Sequence, residues 1–541
     1  MLQQVKGSLS LTCCFNNANM NTSKLGHFKL IFLLGIFLFS FSVLHACSKK
    51  NSLAGSDGEK TATGKDIYVA IDGSDANNGT IENPVNTIQK ALEMVTPGFT
   101  VYVRAGTYKE KVVFPKSGRK DKVITLKSYQ GEQAIISGEG LSVSRSEALV
   151  TLNGVSFVIV EGLDVCNFKT TAGQVNVDGI VVKGGSTNIT LRKNRVYNIE
   201  NNSSAEQGRS GHGIHVIGNT TVVMTKILVE ENEIFDCNTG YSENLTINGY
   251  VDGFEVRKNK VYNGENIGIV AAGGYAANAD PALNYVRNGI IADNEVFNLD
   301  GRTGPIPAFK DHNGAIGIYV DGARNIIVER NLVRDCGRGI GIVSETNNFP
   351  TQECLVRNNL VYNSSLAGIY LGGYIGYTGG GTNNCYVVNN TIFHNNKDLG
   401  YSNEVEGEIR LTENCNNNVI NNNIIYPRAE RGVFINKQVT GGTNNAITNN
   451  LYHSDGLNIW RWNNIPYTDF NLWKNACGGD AGSTAGIDPM FINPGIYDLH
   501  LKPASAAKQT GKVISATVNG TTDKDGQTRI VANLISKGAY Q

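Results

Sequence analysis

One phrase, met nine times, decides what this chain can fold into. Two or three β-branched or aliphatic residues are followed by two polar residues and then by Asn-x-Val-Tyr or a near variant. It reads Ile189-Thr190-Leu191-Arg192-Lys193-Asn194-Arg195-Val196-Tyr197 and recurs around Asn232, Asn259, Asn294, Asn331, Asn359, Asn390, Asn423 and Asn449, at spacings of 26 to 38 residues. A second phrase, Gly-Ile-x-Val or close to it, falls once in each interval and is marked by Ile180, Ile214, Leu245, Ile269, Ile318, Ile342, Ile369, Ile409, Val433 and Ile459. Strands this short cannot bury a face alone, and no helical pattern separates them, so they must stack coil on coil. The expected fold is all-β, a single-stranded right-handed parallel β helix closed by a short N-terminal capping helix.

The register follows from the repeats. Ile189, Ile227, Phe254, Ile326, Cys354 and Cys385 form one expected inward column, and Val196, Ile234, Val261, Val296, Val333, Val361, Ile392 and Ile425 another. Just before each Asn the charges alternate from coil to coil: Arg192, Glu230, Arg257, Ala292, Glu329 and Arg357, and beside them Lys193, Glu231, Lys258, Asp293 and Arg330. Strands stack about 4.8 Å apart, a distance at which opposite charges attract, so these columns read as a solvated structural face. The Asn column reads as structural too, because Asn tolerates the left-handed turn conformation and its amide can bond the next coil. Cysteines on inward columns read as small buried hydrophobes, and no C-x-x-C metal spacing occurs.

Lys plus Arg equals Asp plus Glu at 48 each, leaving no basic excess for nucleic acid. The apolar run Leu30 to Leu44 is too short to span a bilayer and reads as a signal-peptide core, with Met20 a better start than Met1. It ends in Leu44-His45-Ala46-Cys47, which resembles a lipobox, so lipidation is expected on Cys47 of an exported, membrane-anchored, monomeric lipoprotein. The expected organisation is a signal peptide over 1–47, a tether over 48–65, a cap and first coils over 66–140, the helix body over 141–465 and a closing segment over 466–541.

Asp66-Ile67-Tyr68-Val69-Ala70, Gly73-Ser74-Asp75-Ala76-Asn77-Asn78-Gly79-Thr80, Asn83-Pro84, Thr87-Ile88-Gln89-Lys90-Ala91 and Val103-Arg104-Ala105-Gly106-Thr107-Tyr108 form an opening that resembles pectate-lyase-like parallel β-helix proteins, including family 9 polysaccharide lyases and several glycosidases. Residues 84–96 read as the capping helix. Asp488-Pro489-Met490-Phe491, Asp498-Leu499-His500-Leu501 and Lys537-Gly538-Ala539-Tyr540 resemble the closing segment of such proteins. The resemblance implies a polysaccharide or oligosaccharide substrate and, for family 9 lyases, a Lys base beside calcium held by clustered Asp residues. No such cluster is seen here, so no catalytic residue is carried over.

Inserts at 199–212, 299–313 and 395–406 precede the Gly-Ile-x-Val strand, and others at 273–287, 346–352 and 373–383 follow it. Its outer face is therefore the expected floor of a walled trough. Alternation places Val181, His215, Thr246, Val270, Tyr319, Val343, Tyr370, Arg410, Phe434 and Trp460 in one outward column. Lys183, Ile217, Asn248, Ala272, Asp321, Glu345, Gly372, Thr412, Asn436 and Trp462 form the other. Asp321 and Glu345 break the charge logic: stacked carboxylates either raise one another's proton affinity or hold a cation, calcium being the expected one. His215, His212, Lys310, Arg410 and Glu243 are further catalytic candidates, and Tyr319, Tyr370, Asn248, Phe434, Trp460 and Trp462 candidate sugar contacts. Three functions stay open: β-elimination of a uronate-containing glycan, glycoside hydrolysis by Asp321 and Glu345, and non-catalytic glycan binding on the aromatic column.

Overall fold

The computed structural model describes residues 64–204, 208–304, 310–398 and 405–541; the signal segment, Cys47 and all but the end of the tether lie outside the described residues. From Ile67 onward the chain winds as a right-handed parallel β helix, each coil giving one strand to each of three parallel sheets. Sheet 1 runs from Ile67–Val69 to Ala446–Thr448, and sheet 2 from Gly106–Tyr108 to Thr484–Ala485. Sheet 3, built from the Gly-Ile strands, runs from Val112–Val113 to Ile459–Trp462, where Ile465–Tyr467 ends it by pairing antiparallel. Among the described residues no helix is long and apolar enough to cross a membrane.

The inward columns stack as the repeats imply. Val196 lies on Ile234, then Val261, Val296, Val333, Val361, Ile392 and Ile425, all fully buried. In sheet 1 a glycine interrupts the column: a Cβ on Gly289 would come within 2.0 Å of the Phe254 ring, so the missing side chain makes room for the large one. Cys354 lies against Cys385, its amide donating to the Cys385 sulfur at 3.3 Å, and both are buried free thiols.

The Asn column is a continuous hydrogen-bonded ladder. Asn232 donates its Nδ2 to Leu191 O at 2.9 Å and to Asn259 Oδ1 at 3.0 Å, and the pattern repeats through Asn259, Asn294, Asn331, Asn359, Asn390 and Asn423. Two details differ from expectation. The ladder ends on Asn450 rather than Asn449. The left-handed residue is the one before each ladder Asn, with φ of 56° at Lys193, 55° at Glu231 and 56° at Asn449. Holding a side-chain-bearing residue there costs on the order of 1 kcal/mol, which the ladder bonds beside it offset. The charge columns pair as expected: Arg330 Nε meets Asp293 at 2.9 Å, Arg357 Nη2 meets Glu329 at 2.6 Å, and Arg257 Nη2 meets Glu230 at 3.1 Å.

The N-terminal end is closed by a helix of Ile88–Met94, shorter than the 84–96 stretch, N-capped by the Thr87 hydroxyl and burying Ile88, Ala91 and Leu92. At the other end the helix Phe470–Cys477 lays Trp473 over the core. Residues beyond it fold back along the outside of sheet 2, where Phe491, Leu499, Leu501 and Tyr540 cover Tyr362, Phe393, Tyr426 and Leu451. Side-chain amides of Asn358, Asn389 and Asn422 bond the tail backbone at Asn519, Ser536 and Lys512, each at 2.9 to 3.0 Å.

Candidate active site

The central strands of sheet 3 carry a local irregularity that creates their chemistry. The residue before the marker Ile is usually Gly and faces inward beside it; a Cβ on Gly179 would meet Val196 Cγ1 at 2.7 Å, and one on Gly317 would meet Val333 Cγ1 at 2.3 Å. Two consecutive inward positions put the residues on either side, two before and one after the Ile, onto the outer face together. His212 and His215 are thereby neighbours, with ring centroids 3.9 Å apart. Likewise Thr246 Oγ1 donates to Glu243 Oε2 at 2.7 Å.

Asp321 and Glu345 do meet, by a route other than strand stacking. Ile318 pairs with Ile340, not Ile342, and Asp321 pairs with Val343. Gly339-Ile340-Gly341-Ile342 offers two equivalent-looking registers, and the chain takes the one that puts Gly339 beneath the crowded inward position. Glu345 then lies past the strand end at Ser344, where its amide donates to Asp321 Oδ1 at 2.8 Å. The Tyr275 hydroxyl bonds Asp321 Oδ2 and also reaches Glu345 Oε2 at 3.0 Å, while Tyr319 donates to Glu345 Oε1 at 2.7 Å. Burial, then the nearby Glu345 charge, raise Asp321 well above the usual carboxylate range. Burial and these two acids likewise raise Tyr275, and Tyr374, beside Glu345, is raised by that charge and by burial. Among the described residues neither carboxylate enters an ion pair, whereas Glu406 holds both Arg338 at 2.9 Å and Arg410 at 2.6 Å. Calcium takes six to eight oxygens, and this pair offers it two carboxylates whose inner oxygens already face the Tyr275 and Tyr319 hydroxyls, a poor fit.

A second polar group lies toward the N-terminal end of the same sheet. His212 Nδ1 is 2.8 Å from Asp178 Oδ1, His215 Nδ1 is 3.2 Å from Asp178 Oδ2, and His212 Nε2 is 3.5 Å from Glu243 Oε2. Burial opposes charge on His212, but Asp178 and Glu243 overcome it and push the imidazolium up to about 9. Burial and then the adjacent His212 charge hold His215 below its ordinary value. Asp178 is also buried, yet the two histidines hold its carboxyl well below the usual range. Between the two groups lies an apolar patch of Ile267, Val270, Ala272 and Ile316, with Tyr275 and Tyr370 packed against it.

The floor is more closed than an open trough: Asp321 is 1% exposed, Val270 2% and His212 4%. Phe434 and Trp460, expected as sugar platforms, are core residues, 0% and 1% exposed with ring centroids 4.6 Å apart. The register again explains it. Ile409 pairs with Ile435, not Val433, so Phe434 takes the extra inward position and Asn436 stands over Arg410. Trp462, also expected on the outer face, packs edge-on against Trp473, its ring centroid 5.5 Å away. Arg410 is tied to Glu406 and to Gln438 at 3.1 Å. Lys310 is exposed, bonds Arg302 O at 2.7 Å on its own loop, and among the described residues pairs with neither carboxylate. Tyr370 lies beneath the Arg338 guanidinium at 5.5 Å and 6.1 Å from Tyr319. Asn248 stands in register with Ala272 and, one coil on, Asp321.

Sequence reasoning missed Asp178, which occupies the His212 position one coil earlier and was open to the same column logic. It also missed Tyr275 and Tyr374, which sit in inserts that carry no period, and Arg338 and Glu406.

A model of the Pel9A-like right-handed β-helix region matches residues 67–272. The uncharacterized protein YwoF of Bacillus subtilis is 34% identical over 449 residues, covering 82% of this chain and 92% of YwoF. Pectate lyase PEL9 of Emericella nidulans is 45% identical over 78 residues, 14% of this chain and 19% of that enzyme. A solved structure described as XylC in complex with xylose is 12% identical with a TM-score of 0.50, covering 88% of this chain and 98% of that one, a likeness of fold. The chain belongs to one family with YwoF, built on the Pel9A-like right-handed β helix.

Proposed function

We propose that the protein is an exported glycoside hydrolase, anchored through Cys47, that uses Asp321 and Glu345. The observation that carries this is the shared Tyr275 hydroxyl, which links two carboxyl groups, one of them buried and raised in proton affinity by the other. Two hydrogen bonds through one hydroxyl cap the separation of the bonded oxygens at roughly 6 Å, nearer the ~5 Å of retaining enzymes than the wider spacing of inverting ones. Asp321 then protonates the glycosidic oxygen as Glu345 attacks the anomeric carbon. Water, deprotonated by Asp321, releases the sugar with its configuration retained. Tyr319 and Tyr275 steady the Glu345 carboxylate meanwhile.

The test is a panel of aryl glycosides and oligosaccharides, followed by reducing-sugar release and NMR of the first-formed anomer. Asp321→Asn and Glu345→Gln are each expected to lower kcat by about 100-fold or more. An inverted product, or full activity in both variants, sinks the proposal. A second reading, β-elimination from a uronate, draws on the likeness to PEL9 and to the Pel9A-like model. It would appear as ultraviolet absorbance of an unsaturated product. Passive binding on an aromatic column loses its support, because Phe434 and Trp460 lie in the core.

A further inference from the structure

The group Asp178, His212, His215 and Glu243 has the composition of a metal site, with ligand atoms of the first three within 4.8 Å of one another. The ring geometry argues against that use. An imidazole lone pair lies in the plane of its ring, and the two rings are stacked with planes only 21° apart, so both cannot aim at one ion. The same geometry suits hydrogen bonding, each ring facing its own oxygen of Asp178. His215 thus presents Nδ1–H to Asp178, which fixes its tautomer and leaves Nε2 as an acceptor. That nitrogen has no partner among the described residues, although the His215 side chain is only 7% exposed.

A second acceptor lies close by, and this one is a buried atom: among the described residues Asn248 Oδ1 has no hydrogen-bond partner, on the next strand and two residues along from the position paired with His215. Buried polar atoms left unpaired are uncommon and need an explanation. His215 stands three coil steps from Tyr319, through Thr246 and Val270, which is roughly 14 Å. That leaves room for a ring beyond the one at the carboxylates. Two acceptors lie beside the Asp178 and Glu243 carboxylates, whose two charges the single His212 imidazolium only half offsets, and so suit a ligand that donates hydrogen bonds and carries no negative charge.

We propose that His215 and Asn248, with Asp178 as the positioning residue, form a subsite for the hydroxyls of a neutral sugar, so that the substrate of this enzyme is a neutral glycan rather than a polyuronate. This rests on the hydrolase reading for its chemistry but not for its binding. Binding is therefore measured by calorimetry in the full chain carrying Asp321→Asn, with neutral xylo-, gluco- and galacto-oligosaccharides and with oligogalacturonate as probes.

At least one neutral series is expected to bind. His215→Ala on that background should weaken it about tenfold or more, the size of a lost buried hydrogen bond, and His215→Gln, which keeps an acceptor, should recover most of the loss. If His215→Ala fails to fold, Asn248→Ala gives the same reading without disturbing Asp178. Unchanged affinity in the folded variants, preference for oligogalacturonate, or stoichiometric zinc held through His215 would each overturn the subsite. Neutral-glycan binding that depends on His215, in a wild-type chain that cleaves nothing, would uphold the subsite and end the hydrolase reading. Cleavage with His215-independent binding would do the reverse.

Discussion

At the scale of single residues, the site is held by groups whose charge states differ between folded and unfolded chains, and stability must follow pH accordingly. His212 is pushed up to about 9, so its contribution is complete below its ordinary value and is lost as pH rises through 9. Asp321 is raised as well, so its contribution is present in acid and is lost as pH climbs toward its elevated folded value. Asp178 is lowered and works in the other direction, contributing above the usual carboxylate range and losing that contribution on acidification. Urea midpoints are therefore expected to fall from about pH 7 to about pH 9.5 as His212 loses its proton; measured from about pH 4 upward, Asp321→Asn, which cannot ionise, should remove the part of the slope that Asp321 contributes. A parallel slope in the variant would mean that Asp321 is ionised in the folded protein and is not the acid.

At the scale of elements, the coil repeat was legible because it obeys a rule with few exceptions: inward aliphatic, outward polar, Asn at the turn. The sheet 2 column from Val196 to Ile425 could be read directly, and so could the alternating charges. Legibility failed wherever the local pattern allowed two registers. Gly339 and Gly341 both precede Ile, and only the packing of Gly339 against Val361 Cγ1 and Gly368 O decides which is crowded. Asn449 and Asn450 are adjacent, and only the ladder distinguishes them. Phe434 was misread because the strand's extra inward position breaks simple alternation. Substitutions separate these cases. Asn450→Ala should cost about 2 kcal/mol or more by stranding the Asn423 groups that it satisfies at 3.0 Å, whereas Asn449→Gly, at φ 56°, should be close to neutral in chemical denaturation. Gly317→Ala should destabilise by about 1 to 3 kcal/mol through overpacking against Val333. Equal effects at Asn449 and Asn450 would mean that the ladder ends elsewhere.

At the scale of the whole molecule, a solenoid has no intrinsic end, and each exposed edge or apolar flank is a surface on which another chain can add. The N-terminal helix and Trp473 close the two ends of the core, but sheet 2 raises a separate problem. Over its earlier coils the outer face carries Tyr197, Phe235, Tyr262 and Phe297, stacked face to face about one coil apart, with Arg195 and Lys260 over the rings. Over the later coils the flanking charges give way to Leu360, Tyr362, Phe393, Ile424, Tyr426 and Leu451, which the returning tail covers. The tail is thus an internal cover fixed by the Asn residues at left-handed positions, which no repeat inside the helix would require. Removing residues 491–541 should leave the coils wound but expose this apolar strip, so the shortened chain is expected to keep its β-sheet circular dichroism, bind a hydrophobic dye and self-associate in size-exclusion chromatography. A truncated chain that stays monomeric and dye-free would show that the strip is tolerated in water, and the tail's contacts would then have to serve something other than solubility.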